Sequence, residues 1–196
     1  EYSSSYAVVT YTMSKQNDFL DIDVKILTND ANTMFKLSFD TTLDENSAAM
    51  TQAMFGTEPV RKGEKEIAFQ KWCGLEDDTN RLYVINAGSY GGSFDRNIIN
   101  ISLLRTAVNA AHPNELGRPI APHDRVLDHI DMGERDFRFR LCANPEYIDY
   151  EAEIFNQKPF VLSFFPSGMG EKPKQGAVID NKNILLSAFR KENNGI

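Results

Sequence analysis

The chain has three histidines, the residues that a metal site or a general base would most often use. The histidines and the acidic residues near them in the sequence are His112, His123, His129, Asp124, Asp128 and Asp131. In an extended segment, His123 and His129 would lie on one face about 20 Å apart, which is too far for a shared ion. Neither an H-x-H nor an H-x-x-x-H spacing is present, so the sequence predicts no metal site and favours solvated loop histidines.

The serines, cysteines and glycines form no recognisable nucleophile or phosphate motif. No G-x-S-x-G elbow is present, and the nearest run, FFPSGMG, has a different glycine pattern. Cys73 and Cys142 lie in no nucleophile motif, and two thiols make no disulfide framework, so both are predicted to be reduced and partly buried. The glycine-rich GSYGGS lacks the lysine of a phosphate loop, which favours a tight hairpin. Paired glycosidase carboxylates cannot be assigned from sequence, because their separation in space decides the mechanism.

The charge balance argues against a nucleic-acid partner. The chain has 196 residues with 21 basic and 28 acidic side chains, a net charge of −7, whereas phosphate binding needs clustered lysine and arginine. The stretch from Arg135 to Arg140 alternates with phenylalanine and indicates the solvated face of a strand. No run approaches the roughly 18 apolar residues of a membrane span, and the N-terminus lacks the pattern of a signal peptide. A cytoplasmic location is therefore predicted, without membrane association, and the alternative with the same sequence features is a processed secreted protein.

Alternation with period two recurs along the chain and is typical of half-buried strands. In FLDIDVKIL, apolar residues at Leu20, Ile22, Val24 and Ile26 alternate with charged ones. MFKLSFD and RDFRFRL repeat the pattern, and further strands are predicted for YAVVTYTM, EIAFQKW, RLYVINAG, IINISLLR, FVLSFF and ILLSAFR. About nine strands with one polar face each predict antiparallel sheets packed as a mainly β sandwich.

One helix is predicted over residues 144–157, packed on a sheet. Asn144 is placed to cap it, Pro145 suits its first position, and an apolar stripe follows at helical spacing. A short helical turn is predicted around Thr106 to Ala111. The proline-containing stretch from Asn109 to Asp124 is predicted to be the longest loop.

Several blocks of the sequence, taken in order, resemble the C-terminal domain of glycoside hydrolase family 38 α-mannosidases. MFKLSFDTTLDENSAAMTQAMFGTEPVRKG is similar to the family's strand and variable stretch, followed by a glycine turn that leads to an arginine, here Phe55, Gly56 and Arg61. FQKWCGLED is similar to its tryptophan segment, at Trp72. RLYVINAGSYGGSFDRNIINISLLR is similar to a block that runs from an asparagine through a tyrosine–glycine pair to a leucine–leucine–arginine strand. The matching residues are Asn86, Tyr90, Gly91, Leu103, Leu104 and Arg105.

Two later blocks continue the resemblance to the end of the chain. HIDMGERDFRFRL is similar to an aspartate-x-glycine strand entry, with Asp131 and Gly133, and NILLSAFRKENNG is similar to the family's closing strand and turn. Together the blocks run from about residue 19 to the C-terminus. Ala87 and Arg135 depart from residues that many relatives carry, which fits a divergent bacterial branch.

The resemblance implies both a fold and a parent enzyme. The fold is an antiparallel β-sandwich of the galactose-mutarotase-like supersandwich type with one or two short helices, and residues 1–196 form a single domain cut from a longer chain. The parent hydrolyses terminal α-mannosides with retention, using a zinc ion that holds sugar hydroxyls and an aspartate that attacks the anomeric carbon. Both belong to an N-terminal catalytic domain, so no catalytic residue and no metal ligand is carried over to this chain.

Three residues are candidate substrate-binding groups, because the matching region approaches the active site in the family: Tyr90, Arg105 and Asn86. A tyrosine offers an apolar face and a hydroxyl to a pyranose, and an arginine offers several fixed donors. Plain structural roles stay open, in which Tyr90 closes a hairpin and Arg105 ends a strand beside an acidic neighbour. Trp72 is predicted to pack in the core or between domains.

Two functions of different classes remain open. The first is a non-catalytic C-terminal domain of an α-mannosidase, inactive alone, whose partners are the catalytic domain and an α-mannoside glycan. It predicts an exposed apolar surface where the catalytic domain docks, and such a surface would favour homo-oligomers of the isolated chain. The second is a free-standing carbohydrate-binding module that uses Tyr90 and Trp72. A purely structural interaction domain is a third reading.

Overall fold

Eleven strands and one helix form the described part of the computed structural model, which covers residues 4–54, 56–107, 129–161, 168, 170, 177–188 and 190. The first six strands are β1 Tyr6–Met13, β2 Phe19–Thr28, β3 Met34–Asp40, β4 Ala48–Ala53, β5 Gly56–Val60 and β6 Ile67–Ala68. The remaining elements are β7 Trp72–Glu76, β8 Arg81–Asn86, β9 Gly91–Asp95, β10 Ile98–Arg105, β11 Gly133–Ala143 and helix α1 Ile148–Asn156.

The strands pair into a larger and a smaller antiparallel sheet. The larger has seven strands in the order β1-β2-β11-β8-β7-β4-β5, and the smaller has four in the order β3-β10-β9-β6. Because the inner faces of the two sheets contribute to one buried cluster, they pack as a sandwich. The predicted mainly β, antiparallel sandwich is therefore confirmed.

The core between the sheets follows from the period-two alternation. Ile22 and Val24 of β2 and Phe139 of β11 are buried on the larger sheet, and they belong to one cluster with Ile99 and Ile101 of the smaller sheet. The intervening charged residues of β2 and β11 point to the opposite face. Each sheet residue therefore meets either the core or the outer surface according to its parity.

A second apolar cluster lies on the outer face of the larger sheet, beneath helix α1. Helix residues Ala152 and Phe155 are buried there together with sheet residues that include Trp72, Tyr83 and Cys142. The Trp72 and Tyr83 rings meet edge to face with centroids 4.9 Å apart. Gly74 is required between them in the sheet, because a Cβ at that position would lie 2.2 Å from the Tyr83 ring. Helix α1 therefore packs on the outer face of the larger sheet.

The helix begins later than residue 144. Tyr147 stands at its N-cap position without a side-chain cap, and the first helical residue is Ile148. Asn144 has φ of 49° and serves the sheet instead, since its Oδ1 accepts a hydrogen bond from the Arg81 amide over 2.7 Å. The predicted cap at Asn144 and first turn at Pro145 are therefore wrong.

Several strand predictions also need correction. EIAFQKW is broken, because β6 takes only Ile67–Ala68 and β7 begins at Trp72. The described residues of ILLSAFR, 184–188 and 190, form no strand, and neither do residues 160 and 161 of FVLSFF. The sequence does not predict strands β4, β5 and β9 or the part of β7 after Trp72, and β9 starts inside GSYGGS, where a tight hairpin is predicted.

Two sequence predictions cannot be compared with the structure in full. Most of the predicted turn at Thr106 to Ala111, and the loop from Asn109 to Asp124, lie outside the described residues. Across the described ranges, no helix has the length and apolarity needed to cross a membrane.

Candidate functional site

The loop that follows β8 is built on the side chain of Asn86. Its Oδ1 accepts hydrogen bonds from the amides of Gly88 and Ser89 over 3.1 and 3.0 Å, and its Nδ2 donates to the Gln70 carbonyl over 2.9 Å. Asn86 is fully buried at 0% exposure, and Gly88 takes a positive φ of 113° that a side chain would resist. The amide of Asn86 thus shapes the loop that leads to Tyr90.

Tyr90 lies at the end of this loop with its backbone held and its ring in solvent. Its carbonyl accepts a hydrogen bond from the Phe69 amide over 3.1 Å, and its neighbour Ser89 is buried. The side chain is 60% exposed. A tyrosine held in this way presents an apolar ring face and a hydroxyl with little backbone freedom to lose on binding.

Arg105 is the last residue of β10 and is exposed on the outer face of the smaller sheet. A register shift between Ser102 and Leu104 turns Leu104 into the core and returns Arg105 to the outer face, where it pairs in register with Met34 of β3. Thr106, which follows, is fully buried, and its hydroxyl donates to the Asp30 carbonyl over 2.6 Å. The end of β10 is therefore fixed to the β2–β3 turn.

Tyr90 and Arg105 lie at the same end of the smaller sheet. Strands β9 and β10 pair antiparallel from Ile98 opposite Asp95 to Ile101 opposite Gly92. The first residues of β9 and the last residues of β10 therefore share one end. The structure therefore places these two candidates at the same end of the smaller sheet. The third candidate, Asn86, is buried and supports the loop that leads to Tyr90.

A polar network covers the outer face of the smaller sheet next to the end where Tyr90 and Arg105 lie. Glu66 forms an ion pair with Lys36 over 2.7 Å and accepts a hydrogen bond from the Ser102 hydroxyl. Lys36 also donates to the Ser93 hydroxyl over 3.2 Å, so one carboxylate and one ammonium link three strands. Sequence reasoning did not select these residues, since nothing in their local spacing marks residues 36, 66, 93 and 102 as neighbours in space.

The histidine-rich segment is only partly described. His112, His123, Asp124 and Asp128 lie outside the described residues. His129 is half-buried, and its Nε2 has no hydrogen-bond partner, while Asp131 lies 3.8 Å from an Arg135 nitrogen. In the described ranges, no group of three or more His, Cys, Asp or Glu residues is arranged to hold a metal ion. The sequence prediction about a metal here stays a prediction.

Trp72 and the two thiols are buried, away from the end of the smaller sheet where Tyr90 lies. Trp72 is 1% exposed, and its indole nitrogen donates to Asp149 of helix α1 over 2.8 Å. Both cysteines are free and buried, Cys73 between the sheets and Cys142 under the helix. Burial raises the pKa of the Cys142 thiol to about 12 and also raises the pKa of Cys73. Neither thiol is an activated nucleophile, because only the thiolate attacks.

Comparison with known families and structures gives one family match and a shared fold. Residues 2–113 match the family model described as the glycosyl hydrolases family 38 C-terminal domain. An α-mannosidase from Enterococcus faecalis V583 superposes with a TM-score of 0.55 and 12% identity over 74% of this chain and 16% of that one. A glycosyl hydrolase family 38 protein from Enterococcus faecalis superposes with a TM-score of 0.56 and 13% identity over 74% of this chain and 17% of that one.

The solved structures are much longer than this chain. The chain spans about a sixth of the length of either Enterococcus protein. No curated protein sequence gives a significant match. At identities of 12% and 13%, the structural likeness shows the fold alone, and the family model supplies the relationship by sequence.

Proposed function

The chain belongs to the C-terminal domain family of the family 38 glycosyl hydrolases, and from this premise we propose that it is the non-catalytic C-terminal domain of an α-mannosidase. The family match over residues 2–113 carries the proposal, because it includes every strand from β1 to β10. The shared fold with an Enterococcus α-mannosidase supports it. In this role the chain supports a catalytic domain that hydrolyses terminal α-mannosides.

The proposal gives Tyr90 and Arg105 a place in the wall of the sugar pocket. Tyr90 is exposed on a held backbone, and Arg105 ends a strand whose next residue is anchored by buried hydrogen bonds. Both lie at one end of the smaller sheet, so a domain that docks at this end would face both residues. Asn86 contributes by shaping the loop, because its amide is buried and already hydrogen-bonded.

The reacting groups belong to a partner domain in this proposal. The zinc ion and the nucleophilic aspartate that the family resemblance implies are assigned to a catalytic domain outside this chain. The lengths of the Enterococcus structures support that division, since the fold shared with this chain occupies only 16% and 17% of them. A cytoplasmic location is proposed as well, because the two buried free thiols fit a reducing compartment.

The carbohydrate-module alternative loses one of its two aromatic platforms. Trp72 is 1% exposed, hydrogen-bonded to Asp149 and covered by helix α1, so its ring face cannot receive a sugar in this fold. Tyr90 remains exposed. One exposed tyrosine is a small surface for an independent lectin-like site, whereas it suits a pocket wall completed by another domain.

Titration of the isolated chain with methyl α-mannoside, followed by amide NMR shifts, separates the two functions. An accessory domain is expected to show no saturable shift at Gly91 or Arg105 up to several millimolar sugar. A free-standing module would show saturable shifts there with a Kd in the millimolar range or tighter. Saturation of that kind would contradict the accessory-domain proposal.

A further inference from the structure

The outer edge of β1 is a long row of backbone groups without a strand partner among the described residues. β1 pairs with β2 along Tyr6–Met13 and ends the larger sheet. Unpaired amides and carbonyls on an edge strand are a template for another strand. The usual protections are lacking, because YAVVTYTM contains no charged residue and no proline.

The other three sheet edges are protected. Strand β5 carries Glu58 and Pro59, and it spans only five residues. Strand β6 has two residues, and β3 carries Lys36 together with Asp40. Among the four edges, β1 is therefore the one that is both long and uncharged. The difference selects β1 as the edge suited to pairing with another strand.

The side chains of β1 also leave apolar surface uncovered. Val9, Tyr11 and Met13 lie in register with Val24, Ile22 and Leu20 of β2, on the face that forms the core further along the sheet. Yet Tyr11 is 63% exposed and Met13 is 72% exposed. The larger sheet thus extends past the smaller one at this edge. An added strand with apolar residues at alternate positions would cover the overhang.

We propose that the occupant is β1 of a second copy, paired antiparallel about a two-fold axis at Thr10, so that two larger sheets join into one continuous sheet. Antiparallel pairing about Thr10 places Val9 opposite Tyr11 of the other copy, twice, on the overhanging face. Such aromatic and β-branched cross-strand pairs are favourable. On the other face, Thr10 lies opposite Thr10 of the other copy, and Val8 lies opposite its Thr12.

Self-pairing of this strand brings no like charges together. If the strand carried a lysine or an aspartate near its centre, antiparallel self-pairing would place that charge about 5 Å from the same residue of the other copy. β1 has none, and its charged neighbours Asp21, Asp23 and Lys25 lie one strand further away on β2. The uncharged sequence favours a second β1 as the partner strand. The register also favours it, because Val9 and Tyr11 of the two copies meet on the same face. This inference does not depend on the proposed function.

Light scattering after gel filtration of the full 196-residue chain tests the proposal over a range of concentrations. The mass is expected to rise from the monomer value of 22.2 kDa to twice that value. Thr10→Lys is expected to raise the dimer dissociation constant by about fivefold or more, since it sets two lysines opposite each other at the axis.

Thr12→Lys is the matched control. In the monomer each new lysine lies opposite an aspartate of β2, Asp23 for residue 10 and Asp21 for residue 12, and thermal unfolding of both variants at low concentration checks that each folds. In the dimer the lysine introduced by Thr12→Lys would face Val8, and dissociation should change much less. A mass of 22.2 kDa at every concentration, an open-ended series of larger masses, or equal effects of the two variants would each overturn the proposal.

Discussion

Arg140 and Asp21 face each other across β11 and β2 and share two hydrogen bonds, from Nε to Oδ1 over 2.6 Å and from Nη2 to Oδ2 over 3.0 Å. The Arg140 guanidinium also lies 3.5 Å from the centre of the Phe19 ring. The next pair along the strands, Arg138 with Asp23, is looser at 3.5 Å. Arg138 and Arg140 therefore pair with aspartates of β2, which agrees with the interpretation of this stretch as a strand face and not a phosphate site.

Replacing Arg140 by alanine should lower the free energy of unfolding by about 1–3 kcal/mol, because it removes a two-point ion pair and uncovers Phe19. The Arg140 side chain is 12% exposed, whereas that of Arg138 is 41% exposed. Arg138→Ala, the matched control, should therefore cost about 0–1 kcal/mol. Urea unfolding followed by the fluorescence of the single tryptophan measures both losses. Equal losses would contradict the difference in geometry.

Asp149 joins helix α1 to the sheet through two donors. Its Oδ1 accepts from the Trp72 indole nitrogen over 2.8 Å and from Gln52 Nε2 over 2.7 Å. Asp149→Ala should cost about 1–3 kcal/mol of unfolding free energy, because the buried indole N–H loses its acceptor. Asp149→Asn keeps an acceptor oxygen and should cost less. A larger loss for asparagine than for alanine would contradict this role.

The buried thiols make stability depend on alkaline pH. Burial raises the pKa of Cys142 from 9.0 to about 12, so the folded state keeps this thiol protonated where the unfolded chain ionises. The stabilisation is full below pH 9 and is lost as pH rises from 9 toward about 12. Urea unfolding at pH values from about 7 to about 10.5 should show this decline, and Cys142→Ala should make it shallower. An unchanged decline in the variant would show that Cys142 does not contribute.

Three of the predicted strands have one face in the core and one polar face. β2, β3 and β11 alternate because the core takes one side of each, and that pattern is readable in the sequence. β4 and β5 lack a clear alternation, since AAMTQA is small and mixed and GTEPV is a protected edge. The sequence predicts too early a start for helix α1 because an Asn-Pro pair resembles a cap, whereas Asn144 closes the β8–β11 ladder.

The candidate site was only partly predictable for a related reason. Tyr90 and Arg105 are candidates because of the family resemblance, and only the sheet topology shows that they lie at the same end of the smaller sheet. A sequence does not distinguish the buried amide of Asn86 from an exposed one. The apolar ILLSAFR segment looks like a strand, but a strand needs a neighbour for its backbone, and none pairs with its described residues.

Arg105→Ala in the intact parent enzyme should lower kcat/KM for an aryl α-mannoside by about tenfold or more, the loss expected for one charge-assisted hydrogen bond to the sugar. The melting temperature should stay nearly unchanged, because the side chain is exposed. Arg96→Ala is the matched control, since Arg96 lies in the turn at the opposite end of β10 and its ion pairs are long, at 3.9 and 4.0 Å. Equal activity of the two variants would contradict a pocket-wall role for Arg105.

Hydrolysis of an aryl α-mannoside, compared between this chain and the longer polypeptide of the same reading frame, tests the central proposal most directly. The accessory-domain account predicts turnover by the longer protein only, and loss of that turnover when zinc is chelated. Substrate turnover by residues 1–196 alone would contradict it.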